Sequence, residues 1–255
     1  MAEPLVSDEF WNEIQPLLPK HVPDPRGGAP RKSDRPCLEG ILHVLRTGSQ
    51  WQRLPKTDLW PSGSTCWRRF TQWTTTAVWP QLHRQLLNRL GMAGQVDLEK
   101  VIVDSASVRG KKGAHTQAPS PVDRGKRGCK RHIITTGSGL PLLVTCTPAN
   151  IRDDVPFLAM LDTMPPVKMP GPGAPRYKPR SVVGDAGYGF DHIIPQVIER
   201  RIRPLLAPRG QAGHPVAHGS GLGRVRYVVE RTIAWLANFR RINPRILSAL
   251  TRAHP

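Results

Sequence analysis

The sequence lacks three things. No apolar run reaches the length of a bilayer span, so no helical membrane segment is expected. No C-x-x-C pair occurs: Cys37, Cys66, Cys129 and Cys146 are scattered, which argues against a zinc ribbon and a disulfide framework and for buried or idle thiols. Acid is also scarce, with 19 Asp and Glu against 37 Lys and Arg, a net charge of +18. Such an imbalance says little about fold but points to an anionic partner, nucleic acid first and an anionic membrane surface second. The opening stretch M-A-E-P-L-V-S-D-E-F is acidic and amphipathic, unlike a secretory signal, so an intracellular location is expected. At 255 residues the chain can form one large domain or one domain with a small appendage.

The first third reads as helices. Residues 7–19 carry a capping Ser7, the acids Asp8 and Glu9, and an apolar stripe of Phe10, Ile14, Leu17 and Leu18. A Pro/Gly-rich basic linker, 20–32, precedes a second helix over 34–46 that Gly48 stops. A third helix is expected to start at Ser64 or Thr65, with Cys66, Phe70 and Trp73 on one face and Arg68 and Arg69 off it. A fourth spans 78–90. Exposed arginines on short helices suit a helix-turn-helix-like DNA reader, and equally a plain bundle whose arginines are solvated. Trp11, Trp51, Trp60, Trp67, Trp73 and Trp79 are expected to form this region's core rather than a base-stacking platform.

After Gly91 the pattern becomes α/β. The β-branched run Val101, Ile102 and Val103 predicts a buried strand over 101–104, ending in Asp104. A basic loop, 109–129, follows. Arg109, Lys111, Lys112, Arg124, Lys126, Arg127, Lys130 and Arg131 lie in or beside it, with Asp123 as the only acid, which suits phosphate contact. Two β-rich runs, 131–136 and 142–147, flank a Gly-Ser-Gly turn and read as a hairpin. Asp153 is a natural N-cap for a helix with Val155, Leu158, Ala159 and Leu161 inward. Strand 181–184 ends at Asp185, in a turn rich in glycine. A helix at 190–201, a strand at 202–206, a second basic loop at 207–223 and a last helix at 224–240 complete the order β-β-β-α-β-α-β-α. That order is the ribonuclease H-like one, a mixed sheet flanked by helices.

Three acids stand out within it. Two Mg²⁺ ions can activate an oxygen nucleophile and relieve charge on a leaving oxygen in phosphodiester chemistry, and Mg²⁺ prefers carboxylates from rigid elements together with water and phosphate. Asp104 and Asp185 sit at strand ends, where an aspartate also commonly caps a turn. Glu230 is the only acid in residues 204–255. On a helix it shares a face with Arg226, Ala234 and Ala237; a surface Arg226–Glu230 ion pair, stabilising by roughly 0.3–0.5 kcal/mol, is the plainer account. His115, His132, His192, His214 and His218 lack ligand spacing and are expected mostly in loops, solvated or facing phosphate.

The motifs P-L-L-P, G-I-L-H-V-L-R-T-G, W-Q-R-L-P, W-R-R-F-T-Q-W, V-D-S-A-S-V-R, D-R-G-K-R-G, G-D-A-G-Y and V-V-E-R-T-I-A-W-L-A-N-F-R-R occur in this order between residues 5 and 241. In this the chain resembles the DDE transposases of bacterial insertion sequences, in particular the insertion sequence five group. The resemblance implies a helical, helix-turn-helix-like DNA-binding domain at 1–95 and a ribonuclease H-like catalytic domain at 96–255. It implies Asp104, Asp185 and Glu230 as the catalytic, metal-holding acids, Mg²⁺ as cofactor with Mn²⁺ as a substitute, and Tyr188 completing the D-x-G-Y turn. Arg226, which precedes Glu230 in an R-x-x-x-E pattern, is expected to contact DNA or to steady Glu230, and the neighbouring Arg231 joins it with Arg68, Arg69 and the basic loop as expected DNA contacts. Binding of terminal inverted repeats, cleavage, attack of the freed 3′-hydroxyl on target DNA, and a homodimer or larger synaptic complex in the bacterial cytoplasm at the nucleoid are further implications.

Two departures accompany it. Ala237 stands where related groups have Lys, and the tail R-I-N-P-R-I-L-S-A-L-T-R-A-H-P differs from the basic, then apolar, helical segment usual there, as if shortened or altered in frame. A non-catalytic or decayed transposase-derived DNA-binding protein is the alternative, and a basic structural RNA-binding protein a third reading.

Overall fold

A computed structural model describes residues 4–23, 25, 27, 30–109, 118–121, 123–207 and 222–238, except the side chains of 222–226. Lys111, Lys112, the Arg226 side chain, most of the 207–223 loop and the tail after Asn238 lie outside the described residues. The chain divides into two compact units that part inside a helix, between Gln85 and Leu86.

The first unit is helical. Helix α1, Asp8–Ile14, is capped by Ser7, whose Oγ accepts from the Phe10 amide at 3.2 Å. It tightens into a 3-10 turn at Gln15–Leu17, where Pro16 cannot donate to an α-helical ladder. Helix α2, Asp34–Thr47, ends on Gly48 in the left-handed conformation, φ 75°, which glycine adopts without cost. Helix α3, Gly63–Thr75, starts earlier than the sequence suggests, because Ser62 and not Ser64 or Thr65 caps it. The early start needs glycine at 63: a Cβ there would stand 1.6 Å from the Trp51 carbonyl oxygen. Helix α4, Val78–Met92, runs into the second unit. Leu38, Ile41 and Val44 of α2 and Phe70 and Trp73 of α3 are buried. The tryptophans are not uniformly core: Trp73 is buried, whereas Trp67 is 45% exposed and lies against Trp51 and Phe70. The scattered thiols meet in space as free cysteines, Cys37 sharing a hydrogen bond with Cys66 here and Cys129 with Cys146 in the second unit.

The second unit is a mixed sheet with helices: β1 Lys100–Arg109, β2 Ala118–Pro119, β3 Arg127–Thr136, β4 Pro141–Pro148, α5 Asp154–Asp162, β5 Ser181–Gly184, α6 Ile193–Glu199, β6 Arg203–Leu206 and α7 Leu222–Asn238. Leaving aside the two-residue β2, which pairs with β3, the strand order is β4-β3-β1-β5-β6. Strands β4, β3 and β1 are antiparallel neighbours, and β1, β5 and β6 run parallel. This is the ribonuclease H-like sheet that the element order implied.

The strands outrun their apolar cores. In β1 the expected end is Asp104, yet the strand continues through S-A-S-V-R, where polar and small residues alternate at a sheet rim and hide the strand signal. Strand β3 likewise begins at Arg127, inside the expected 109–129 loop. In α5 the inward residues are Asp154, Phe157, Met160 and Leu161, while Val155 is exposed and Ala159 faces solvent.

Side chains alternate across a sheet, so each strand feeds two cores. Val101 and Val103 of β1, Ile134 of β3 and Val182 of β5 pack with Phe157, Met160 and Leu161 of α5 and with Ile193 and Val197 of α6. On the opposite face Ile102 and Val183 pack with Val229 of α7. Helix α7 is also pinned to the β3–β4 turn, where the buried Thr232 donates to the Gly139 carbonyl at 2.7 Å and Arg231 to the Ser138 carbonyl at 3.0 Å. Gly139, at φ 96°, leaves the space that Val228 fills, since a Cβ there would lie 2.9 Å from Val228 Cγ1.

Candidate active site

Parallel register brings two of the three expected acids together. Ile102 of β1 is opposite Val183 of β5; Asp104 follows two residues later on β1, and Asp185 comes directly after the last residue of β5. Asp104, two residues after Ile102, is on the face of β1 that α7 covers, and Asp185 opens the turn that follows β5. Strand β5 ends at Gly184, which opens the sheet beside Asp104. In mixed α/β sheets, ligands collect at the carboxyl ends of strands where the connections diverge, as they do between β1 and β5.

Local structure steadies each carboxylate. Asp104 Oδ1 accepts from the Ser105 amide at 2.7 Å. Asp185 Oδ1 accepts from the Gly187 amide at 2.8 Å, closing the turn after β5. Gly184 must be glycine for packing: a Cβ there would meet Val103 at 2.9 Å, Leu206 at 3.0 Å and Tyr188 at 3.2 Å. Tyr188 is 1% exposed and packs edge-on against Phe157 at 5.2 Å. Its hydroxyl, beside Ser105, makes no well-formed hydrogen bond among the described residues. Burial pushes its pKa well above the usual tyrosine value, and the negative charges of Asp153, Asp104 and Asp185 push it the same way. Tyr188 thus stays a neutral phenol.

Asp153 was not among the sequence candidates. It stands at the N-cap position of α5 but makes no capping hydrogen bond. Its Oδ1 instead accepts from Ser105 Oγ at 2.7 Å and pairs with the Lys130 ammonium at 3.0 Å. Lys130 also donates to the Ile151 carbonyl. His132, expected in a loop, is wholly buried in β3, with Nε2 2.8 Å from Thr147 Oγ1 and Nδ1 3.8 Å from Asp153 Oδ1. Burial drives its pKa down to about 4, so it is neutral at pH 7 despite Asp153. No spacing rule would single out Asp153; the one signal is the doubled acid in N-I-R-D-D, where a cap needs only one.

Glu230 stands apart from these groups in its support. It is exposed on α7, with Ala234 and Ala237 exposed along the same face, one residue from the buried Val229. Among the described residues, no three His, Cys, Asp or Glu are close enough to hold a metal ion together. The donor chemistry still fits a hard divalent ion: Asp104 and Asp185 offer only oxygen, and Mg²⁺ commonly takes one or two carboxylates and completes its shell with water and phosphate.

The basic residues divide by what already holds them. Arg124, Lys126 and Arg127 are exposed around the turn before β3, beside a groove of about 250 Å³ lined by Ser107, Arg109, Asp123 and Lys126. Arg109 is exposed but is clasped by both oxygens of Asp123, at 2.6 and 2.9 Å. Arg131 is 6% exposed in the sheet, and burial lowers its pKa. Arg231 lies over the Trp235 ring at 5.0 Å. In the helical unit Arg68 is exposed, whereas Arg69, also expected to be exposed, is mostly buried and pairs with Asp34 at 2.8 Å, a carboxylate shared with Arg31. No described helix is long and apolar enough to cross a membrane.

The transposase DDE domain family model matches residues 96–249, and the model described as "putative transposase of IS4/5 family" matches residues 6–83. An uncharacterized 16.2 kDa protein of insertion element IS402 from Burkholderia cepacia is 44% identical over 111 residues, 43% of this chain and 76% of its own length. The "putative transposase for insertion sequence element IS402" of the same organism is 40% identical over 133 residues, 52% of this chain. The matched part is 60% of that relative's length. A solved structure, the Mos1 transposase paired-end complex with left transposon end, aligns with 91% of this chain and 79% of its own at 11% identity and a TM-score of 0.27.

Proposed function

Since the chain belongs to the transposase DDE domain family, we propose that it binds the terminal inverted repeats of an insertion sequence and catalyses Mg²⁺-dependent cleavage and strand transfer, as a homodimer or larger synaptic complex. The observation that carries this reading is the parallel pairing of β1 with β5, in which Asp104 follows two residues after Ile102 on β1 and Asp185 comes directly after the end of its partner strand. Both acids hold metal in this reading. Glu230 completes the set from α7, whose Val229 is seated on Ile102, one pleat before Asp104, and on Val183, two residues before Asp185. When bound, divalent metal supplies an activated oxygen nucleophile and charge relief at the leaving oxygen. The protein's own share is to fix the two aspartates by backbone amides, to keep Tyr188 neutral beneath them, and to hold the DNA backbone.

Arg124, Lys126 and Arg127 serve that last purpose with Arg68 of the helical unit and, outside the described residues, Lys111, Lys112 and Arg226. Arg109 joins them if phosphate displaces Asp123. Lys130, Arg131, Arg231 and Arg69 have roles inside the fold and contribute less. The test is nicking of plasmid DNA carrying the sequences that flank the gene. Mg²⁺-dependent cuts at repeat ends, lost in Asp104→Ala with DNA binding kept, support the enzyme. Tight, salt-sensitive binding without any cutting favours a DNA-binding derivative, and binding of RNA without preference for repeat ends favours the third reading.

A further inference from the structure

Asp153 reaches towards the segments that carry both Asp104 and Asp185. Asp104 points to the α7 face, so Ser105 points to the α5 face, where its hydroxyl donates to Asp153 at 2.7 Å. The same Asp153 oxygen holds the Lys130 ammonium of β3 at 3.0 Å. The other Asp153 oxygen faces the turn that carries Asp185: a Cβ on Gly187 would stand 2.8 Å from Asp185 Oδ1 and 3.4 Å from Asp153 Oδ2. One carboxylate thus holds the residue after Asp104 and the strand beside it, and faces the turn of Asp185. It has given up a helix-capping bond to do so. The buried Tyr188 hydroxyl, without a well-formed bond of its own, reports the crowding, since Asp153 is the largest charge acting on it.

We propose that Asp153 and Lys130 are a positioning pair for the metal-holding aspartates: Asp153 fixes the separation of the carriers of Asp104 and Asp185 and adds negative field to the site, and Lys130 offsets part of that field. The inference rests on the reading of Asp104 and Asp185 as metal ligands. It gives Lys130 a task other than phosphate contact, consistent with its 15% side-chain exposure.

Opposite charges make the test selective. Mn²⁺ binding to the full chain is followed by free-Mn²⁺ electron paramagnetic resonance, with thermal melting in parallel, for the parent protein, Asp153→Asn, Lys130→Met and Asp104→Asn. Asp153→Asn keeps an oxygen for Ser105 while removing the charge, and should weaken Mn²⁺ binding about tenfold; Lys130→Met should tighten it about threefold, as field effects over this range allow. A merely structural pair would lower the melting temperature in both variants without opposite shifts in affinity. Shifts of the same sign, or none, overturn the proposal. Should Asp153→Asn fail to fold, Lys130→Met decides alone: tighter binding supports the pair, unchanged or weaker binding overturns it. Mn²⁺ binding that survives Asp104→Asn instead defeats the underlying metal assignment, whatever the other two variants do.

Discussion

The ribonuclease H-like unit carries the three proposed site acids on two kinds of support. Asp104 rides on β1 and Asp185 on the turn directly after β5, and the two strands are parallel hydrogen-bonded neighbours with a spacing of about 4.8 Å. Glu230 rides on a helix whose hold on the sheet comes from side chains: Val229 over Ile102 and Val183, and Thr232 on Gly139. In the proposed site a backbone ladder fixes the two segments that lead to the aspartates. The helix supplies the third acid through contacts that can be loosened without unfolding the sheet. The difference predicts that damage on the strand side removes metal binding and chemistry together, while damage at the α7 seat affects chemistry first.

The largest effect should come from the strand acids. Asp104→Ala and Asp185→Ala are each expected to lower nicking by at least about a thousandfold, measured in single-turnover plasmid assays, with Mn²⁺ affinity falling alongside. Glu230→Gln should cut the rate comparably while leaving Mn²⁺ affinity within about threefold, if the helix acid acts mainly once DNA is present.

Acid should strike the strand side as well. Burial holds His132 at about 4 in the fold, against the ordinary 6.5 when unfolded. The folded protein therefore binds fewer protons between those values. Stability is unaffected above pH 6.5 and falls as pH drops towards 4, by at most on the order of 3 kcal/mol. Urea midpoints measured from pH 7.5 to 4 check this, and a flat profile would contradict it. At the α7 seat, Thr232→Val removes the bond to Gly139 and should cost about 1–2 kcal/mol, with nicking reduced more than Mn²⁺ binding. The smallest change is expected from Arg124→Ala, Lys126→Ala and Arg127→Ala combined. This variant should keep the sheet intact and flatten the salt dependence of DNA binding by roughly 0.9 per lost phosphate contact.

The same contrast explains what the sequence made legible. Apolar runs such as Val101-Ile102-Val103 and Ser181-Val182-Val183 declare buried strands, and their order was enough for the sheet topology. Rim residues carry no such signature: Ser105 and Ser107 look like loop yet continue β1, and His132 looks solvated yet is buried between strands. Arg69 reads as a surface charge because its partner Asp34 lies on another helix. Asp153 escaped notice for a related reason: its cap position is plain in the sequence, while its partners Ser105 and Lys130 are remote along the chain and meet it only through the antiparallel pairing of β1 with β3. Periodicity reveals which face a residue occupies; long-range register decides whom it meets.

The most direct measurement is anomalous scattering at the manganese edge from crystals of the full chain grown with Mn²⁺. A peak coordinated by both Asp104 and Asp185, on the α7 face of the sheet, is the result this account predicts. Manganese bound elsewhere with those two carboxylates turned apart, or bound by neither of them, would contradict it.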